Sequence, residues 1–355
     1  MELPRPAWYA DTVARLLAGD DLAPATMADV FRDLLAGQVD DVCAAGLLTA
    51  LRMKGESASE IAAAARALRE QMTRLLPVSG PVLDTCGTGG DASGTFNIST
   101  AAALVAAAVG VPVVKHGNRA VSSRSGSADV LRELGVPIES GPEWAQRCLD
   151  RIGFAFCYAP HFHAGMANLA AVRRKLGIRT VFNLLGPLAN PASAEYQLIG
   201  VGDPDLLDTL AAAAAELGGR RTVLVCGFDG LDEVTLAAPT MVRIVEGGQF
   251  HAEEWDRDDF GLEPVRWEDI RAESATDSAA TIRRILDGEH GPARRMVVAN
   301  AAAALWTADV VQNLHDGVLA AEAALDSGAA KTVLERLRDE FDALQEKSGS
   351  TGVNL

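Results

Sequence analysis

The chain opens with apolar positions spaced three and four apart. Val30, Phe31, Leu34 and Leu35 fall on one face of a helix that starts at Thr26, with Asp29 three residues on. Ala44, Leu47, Leu48 and Leu51 form the stripe of a second helix over Asp40 to Met53, closed by Lys54-Gly55. Ser57 and Glu60 make a capping box that opens a third, running to about Leu75. No strand pattern precedes Val82. Beyond it, short apolar runs alternate with helical ones. Pro81-Val82-Leu83 ends a buried strand, Ala101 to Val109 is an unbroken apolar helix, and Val111 to Val114 is the next strand. Ala128 to Leu134 is a helix ended by Gly135, Ala164 to Asn183 returns to helix, and Thr222 to Cys226 is a later strand. Strands alternating with helices predict a mostly parallel sheet flanked by helices. The expected fold is α/β, with a small helical domain over 1–78 that also takes in about 164–194. A larger α/β domain covers 79–163 and 195–345, and 346–355 is a polar, frayed tail.

The first strand joins its helix through Asp84-Thr85-Cys86-Gly87-Thr88-Gly89-Gly90-Asp91, followed by Thr95-Phe96-Asn97-Ile98-Ser99-Thr100. Three glycines in four positions remove the Cβ atoms that would keep a phosphate from the backbone N–H groups. Ser99 or Thr100 serves as N-cap of the helix, whose positive end faces the same place. Asp91 and Ser99 add oxygen ligands. The set suggests a phosphorylated ligand carried with a divalent metal. Two commoner glycine motifs fail: the dinucleotide pattern meets Ala92 where a third glycine belongs, and the P-loop pattern from Gly89 to Gly94 meets Thr95 where a lysine belongs. The alternative is a tight structural turn.

After the second strand, Lys115-His116-Gly117-Asn118-Arg119-Ala120-Val121-Ser122-Ser123-Arg124-Ser125-Gly126-Ser127 leads into another helix N-terminus. Lys115, Arg119 and Arg124 cluster there in a chain of net charge −16, so a second anion site is indicated against a solvated basic loop. Arg173, Arg174, Lys175 and Arg179 fall within seven residues and by themselves read as a solvated helix face. Asp232-Glu233 lies past the strand Thr222 to Cys226, where open α/β sheets place ligands, though alone the pair reads as an acidic turn. His161-Phe162-His163 lacks a nearby third ligand and reads as a surface or substrate-channel histidine pair rather than a metal site.

Composition narrows the class. The 355 residues, 48% of them hydrophobic, allow one large or two unequal domains and argue against disorder. Cys43, Cys86, Cys148, Cys157 and Cys226 contain no C-x-x-C pair, so neither a disulfide framework nor a zinc site is indicated. The acidic balance opposes nucleic-acid binding. Met1-Glu2-Leu3-Pro4-Arg5 lacks a signal-peptide pattern, and the alanine runs 211–215 and 301–304 are too short to span a bilayer, so a cytoplasmic enzyme without a membrane partner is expected.

Four motifs in order, Gly87 to Asp91 with Asn97 to Thr100, Lys115 to Arg119, Arg179 to Pro191 and Asp229 to Thr235, resemble those of the anthranilate phosphoribosyltransferases, and the resemblance runs from about residue 25 to 345. It implies transfer of the 5-phosphoribosyl group from phosphoribosyl pyrophosphate to the amine of anthranilate, the second step from chorismate to tryptophan. It further implies that phosphoribosyl pyrophosphate meets Gly87, Gly90, Asp91, Thr95, Asn97, Ile98, Ser99, Thr100, Lys115, His116, Gly117, Asn118, Arg119, Ala120, Val121, Ser122, Ser123 and Ser127. Anthranilate would meet Gly87, Asn118 and Arg173. Mg²⁺, two ions per subunit, would be held by Ser99, Asp232 and Glu233, and two chains would pair through the helical domain. The weakly basic aromatic amine attacks without prior activation, so no general base is assigned. Two other readings stay open: a pyrimidine nucleoside phosphorylase, whose chains are longer, and a non-enzymatic nucleic-acid-binding relative.

Overall fold

The computed structural model describes residues 4–91, 93–120 and 125–350, with side chains to residue 341. Val121, Ser122, Ser123 and Arg124 lie outside the described residues. Four helices lead: α1 Tyr9–Leu17, α2 Pro24–Leu35, α3 Asp41–Lys54 and α4 Ala58–Gln71. The expected Thr26 start of α2 moves back to Pro24, because a proline at the first turn is preset for helix and needs no side-chain cap. Asp40 caps α3, accepting from the Val42 and Cys43 N–H groups. The Ser57–Glu60 capping box forms as the sequence predicts. Helix α4 ends at Gln71, short of the expected Leu75, and Leu75 instead donates its N–H to the Pro191 carbonyl.

The remaining elements alternate. Strand β1 Leu83–Gly87, α5 Ile98–Val109, β2 Val113–Gly117, α6 Ser127–Glu133, α7 Gly141–Ile152 and β3 Phe154–Tyr158 come first. Short helices α8 Ala159–Phe162, α9 Ala170–Leu176 and α10 Phe182–Leu185 follow, then β4 Tyr196–Gly200, α11 Leu207–Leu217, β5 Arg221–Gly227, β6 Thr240–Glu246 and β7 Gln249–Trp255. The chain closes with α12 Arg257–Phe260, α13 Ala275–Leu286, α14 Pro292–Thr307, α15 Leu314–Asp326 and α16 Ala329–Ser350. The expected helical region over Ala164 to Asn183 is interrupted at Gly177, and the expected frayed tail is helical to Ser350.

One seven-stranded sheet, ordered β3-β2-β1-β4-β5-β6-β7, organises the fold. The first five of these strands run parallel, and β6 and β7 add antiparallel to β5. Residues alternate between its faces with period two. On β5, Val223 and Val225 enter the core shared with α5, α13 and α14, whereas Leu224 and Cys226 enter the core shared with α11 and the N-terminal helices. Chain direction reverses its lateral progress at β1, which has β2 on one side and β4 on the other. That switch point opens a crevice beyond the carboxyl ends of the strands.

Candidate active site

The predicted Asp84 to Asp91 loop begins later than its motif. Asp84 to Gly87 belong to β1, and Asp84 is fully buried, accepting from the His116 N–H at 3.3 Å and from Asn190 Nδ2 at 2.8 Å. Burial raises its pKa, with Asn190 and Lys115 opposing the shift. The turn proper is Thr88-Gly89-Gly90, with positive φ of 62° at Gly89 and 86° at Gly90, a conformation that side chains rarely adopt. Thr88 is pinned to the end of β4: its N–H donates to the Gly200 carbonyl at 2.8 Å, and the Gly202 N–H donates to its hydroxyl at 3.2 Å.

Asn97, rather than Ser99 or Thr100, stands at the N-cap of α5, and it makes no side-chain cap bond. Its Oδ1 instead accepts from Ser125 Oγ at 2.8 Å and Ser278 Oγ at 3.0 Å. The helix terminus is satisfied from a distance, because the Ser99 N–H donates to Glu233 Oε1 at 2.9 Å. The positive end of α5 therefore holds a carboxylate of the acidic turn after β5.

That turn is no solvated surface. Asp232 lies beside Gly87, where a Cβ would come within 3.0 Å of its Oδ2. Burial, then the charges of Asp91 and Glu233, push the Asp232 pKa well above the carboxylate range, while the Gly89 N–H opposes the shift. Glu233 is pushed up to about 7, chiefly by burial and against the pull of Lys115 and the Ser99 N–H. Asp91 Oδ2 is buried there without a hydrogen-bond donor. Three carboxylates thus crowd together short of positive charge.

Lys115 brings an ammonium to this cluster. It is fully buried on β2, and its Nζ donates to the Thr85 carbonyl and, at 3.2 Å, to Ser99 Oγ. Desolvation lowers its pKa, and Asp84 leads the groups that oppose the fall. Arg119 is drawn the other way, paired with Glu139 and lying 5.8 Å over the Tyr158 ring. The Cys86 thiol is pushed far up by burial and Asp84, so it is a neutral wall and no nucleophile.

A cavity of about 460 Å³ unites these segments. Of the residues assigned from the sequence, Gly87, Gly90, Asp91, Thr95, Asn97, Ser99, Lys115, His116, Gly117, Asn118, Arg119, Ala120, Ser127, Asp232 and Glu233 line it. Ile98, Thr100 and Arg173 do not. Ile98 and Thr100 turn into the core of α5, both at 0% exposure. Arg173 on α9 lies with its guanidinium 5.4 Å over the Phe182 ring. The expected His161–His163 pair does not form: His161 is exposed against Tyr158, while His163 is buried with its ring 4.8 Å from that of His116. Burial and His116 lower the His163 pKa to about 3.

The cavity also takes in Ser125, Gly126, Arg179 and Asn183, which lie within the motifs quoted above but were assigned no ligand. Arg179 donates to the carbonyls of Gly89 at 2.8 Å and Thr88 at 3.2 Å. Its place in the cationic run and at the head of the Arg179 to Pro191 motif was the available signal, but neither says which atoms it holds. Among the described residues no three histidines, cysteines or acidic groups form a closed metal-ligating set. Mg²⁺ does not need one: it is held by one or two carboxylates and completes its shell with water and substrate phosphate. The crowded Asp232 and Glu233 and the Ser99 hydroxyl fit that donor set, and Asp91, with an oxygen buried without a donor, adds negative charge beside them.

The helical and α/β domains are those of a glycosyltransferase family. The family described as "Glycosyl transferase family, a/b domain" matches residues 79–331, and its "helical bundle domain" matches residues 10–72. The chain is 47% identical to anthranilate phosphoribosyltransferase of Chromobacterium violaceum, over 91% of this chain and 95% of that one. The anthranilate phosphoribosyltransferase of Thermus thermophilus superposes with a TM-score of 0.86 at 44% identity, covering 93% of this chain and 99% of that one. The Saccharomyces cerevisiae enzyme in complex with PRPP and Mg superposes with a TM-score of 0.87 at 29% identity, covering 95% and 98%. The chain belongs to the anthranilate phosphoribosyltransferase family.

Proposed function

We propose that this chain transfers the 5-phosphoribosyl group from phosphoribosyl pyrophosphate to the amine of anthranilate, giving N-(5-phosphoribosyl)anthranilate and pyrophosphate in tryptophan biosynthesis. One observation carries the reading: a single cavity gathers a glycine loop, a buried lysine and a crowded acid pair at the carboxyl ends of β1, β2 and β5. Displacement at ribose C1 builds positive charge on the sugar and negative charge on the leaving pyrophosphate. The protein's task is positioning and charge stabilisation.

The glycine turn through Asp91, with Thr95, Asn97 and Ser99, takes the pyrophosphate and ribose. Lys115 to Ala120, with Ser127, cover the phosphates; Val121, Ser122 and Ser123 complete this set in sequence. Bound Mg²⁺, two ions per subunit in our reading, neutralises the leaving group. Ser99, Asp232 and Glu233 are the residues that would hold it.

Anthranilate is assigned to Gly87, Asn118 and Arg173. Burial lowers the Arg173 pKa, and no acidic neighbour among the described residues opposes the shift. Such a guanidinium is disposed to take a carboxylate, once it leaves the Phe182 ring. The neutral amine attacks C1, and the proton it loses needs no dedicated base.

Residues 1–78 with 164–194 form the helical domain in this proposal. Exposed Leu17, Val42 and Met53 on α1 and α3 support a homodimer through it. No described helix is long and apolar enough to cross a membrane, and we place the enzyme in the cytoplasm. Purified chain should release pyrophosphate in step with anthranilate consumption. Phosphorolysis of pyrimidine nucleosides instead would overturn the proposal.

A further inference from the structure

Arg179 has no part in the assignments above, yet it reaches from the stretch between α9 and α10 into the glycine turn. A Cβ on Gly90 would overlap its Nη1, so the guanidinium fills space that only glycine leaves open. Nη1 takes the Gly89 carbonyl at 2.8 Å and Nη2 the Thr88 carbonyl at 3.2 Å. These are consecutive peptide units. In a trans peptide the N–H points opposite to the C=O, so holding both carbonyls on one side turns the Gly89 and Gly90 N–H groups to the other. The Gly89 N–H accordingly acts on the Asp232 carboxylate. The positive φ at both glycines gives this arrangement its shape.

We propose that Arg179 is a positioning residue that clamps the Thr88-Gly89-Gly90 turn with its carbonyl oxygens away from the anion and its N–H groups toward it. The proposal rests on the phosphoribosyl pyrophosphate reading for its ligand, and on the geometry alone for the clamp. A released turn could rotate either peptide and point an oxygen at a phosphate, which repels it. A rigid fork suits the task because it grips two carbonyls at once. Lysine can replace one contact but not both.

The test uses the full chain with Arg179→Gln and Arg179→Lys. Hydrogen exchange over Gly87 to Asp91, without ligand, reads the clamp itself. Calorimetric binding of phosphoribosyl pyrophosphate with Mg²⁺, and separately of anthranilate, reads its consequence. Exchange should quicken in Arg179→Gln, and affinity for phosphoribosyl pyrophosphate should fall by about tenfold or more, with partial recovery in Arg179→Lys. Anthranilate affinity should hold. Unchanged exchange in both variants overturns the clamp. A loss confined to anthranilate makes Arg179 a ligand for that substrate and overturns it too. Wild-type protein that binds no phosphoribosyl pyrophosphate defeats the functional reading instead, and exchange still decides the clamp.

Discussion

Lys115 Nζ donates to Ser99 Oγ at 3.2 Å, which ties the middle of β2 to the first turn of α5. Two stretches that read in sequence as separate anion sites are therefore two walls of one. The same ammonium opposes the upward shift of Glu233, whose carboxylate accepts from the Ser99 N–H.

Replacing Lys115 by Ala should weaken phosphoribosyl pyrophosphate and leave anthranilate nearly unchanged, as the lysine lies on the glycine-loop side of the cavity. A charge-assisted contact of about 1.5–3 kcal/mol corresponds to roughly tenfold to a hundredfold in affinity. Titrating each substrate in turn checks this, and a matching loss for anthranilate would count against the division of the cavity.

Arg173→Ala should show the reverse pattern. Its guanidinium is the one assigned to the anthranilate carboxylate, so apparent affinity for anthranilate should drop by about 1.5–3 kcal/mol while phosphoribosyl pyrophosphate is unaffected. Loss of packing on Phe182 is controlled by Arg173→Met, which keeps the stem and removes the charge. If Arg173→Met binds anthranilate as wild type does, the contact is packing alone.

The Asp232→Asn and Glu233→Gln double variant should keep its fold and lose most activity. Without Mg²⁺ it should unfold at the wild-type temperature or above it, since the substitutions relieve buried, mutually repelling carboxylates. The added stability that Mg²⁺ and phosphoribosyl pyrophosphate give the wild type should shrink. Scanning calorimetry with and without both ligands checks this, and an unchanged ligand-induced shift would return the pair to a structural turn.

His163 gives a pH dependence with a definite sign. Its pKa in the folded chain is about 3 against an ordinary 6.5, so the unfolded chain binds more protons between these values. Stability then rises with pH across that window and is lost as pH falls from 6.5 toward 3, with a limiting slope of about 1.4 kcal/mol per pH unit. His163→Gln removes this term. His116 shifts the same way and Asp84 oppositely, and both remain in wild type and variant. Unfolding midpoints should fall more steeply with acidification in wild type than in His163→Gln, and parallel slopes would refute the assignment.

What the sequence made legible was local. The Ser57–Glu60 box and the strand at Thr222 to Cys226 depend on neighbours a few residues away, and both form. The hairpin of β6 and β7 escaped notice, although Gly247-Gly248 between two strand-length runs is a recognised hairpin signal. Long-range pairings left no trace in the chain's periodicity. Glu233 capping α5, His163 against His116 and Arg179 on the glycine turn each join segments that only the sheet topology brings together. Arg173 shows the converse, since its sequence assignment names a residue whose guanidinium rests on Phe182 outside the cavity wall.

The most direct measurement of the account is anthranilate fluorescence in the presence of purified chain. Adding phosphoribosyl pyrophosphate and Mg²⁺ together should extinguish it at a steady rate, and omitting either should leave it constant. Persistent fluorescence with all components present and a folded sample would contradict the account.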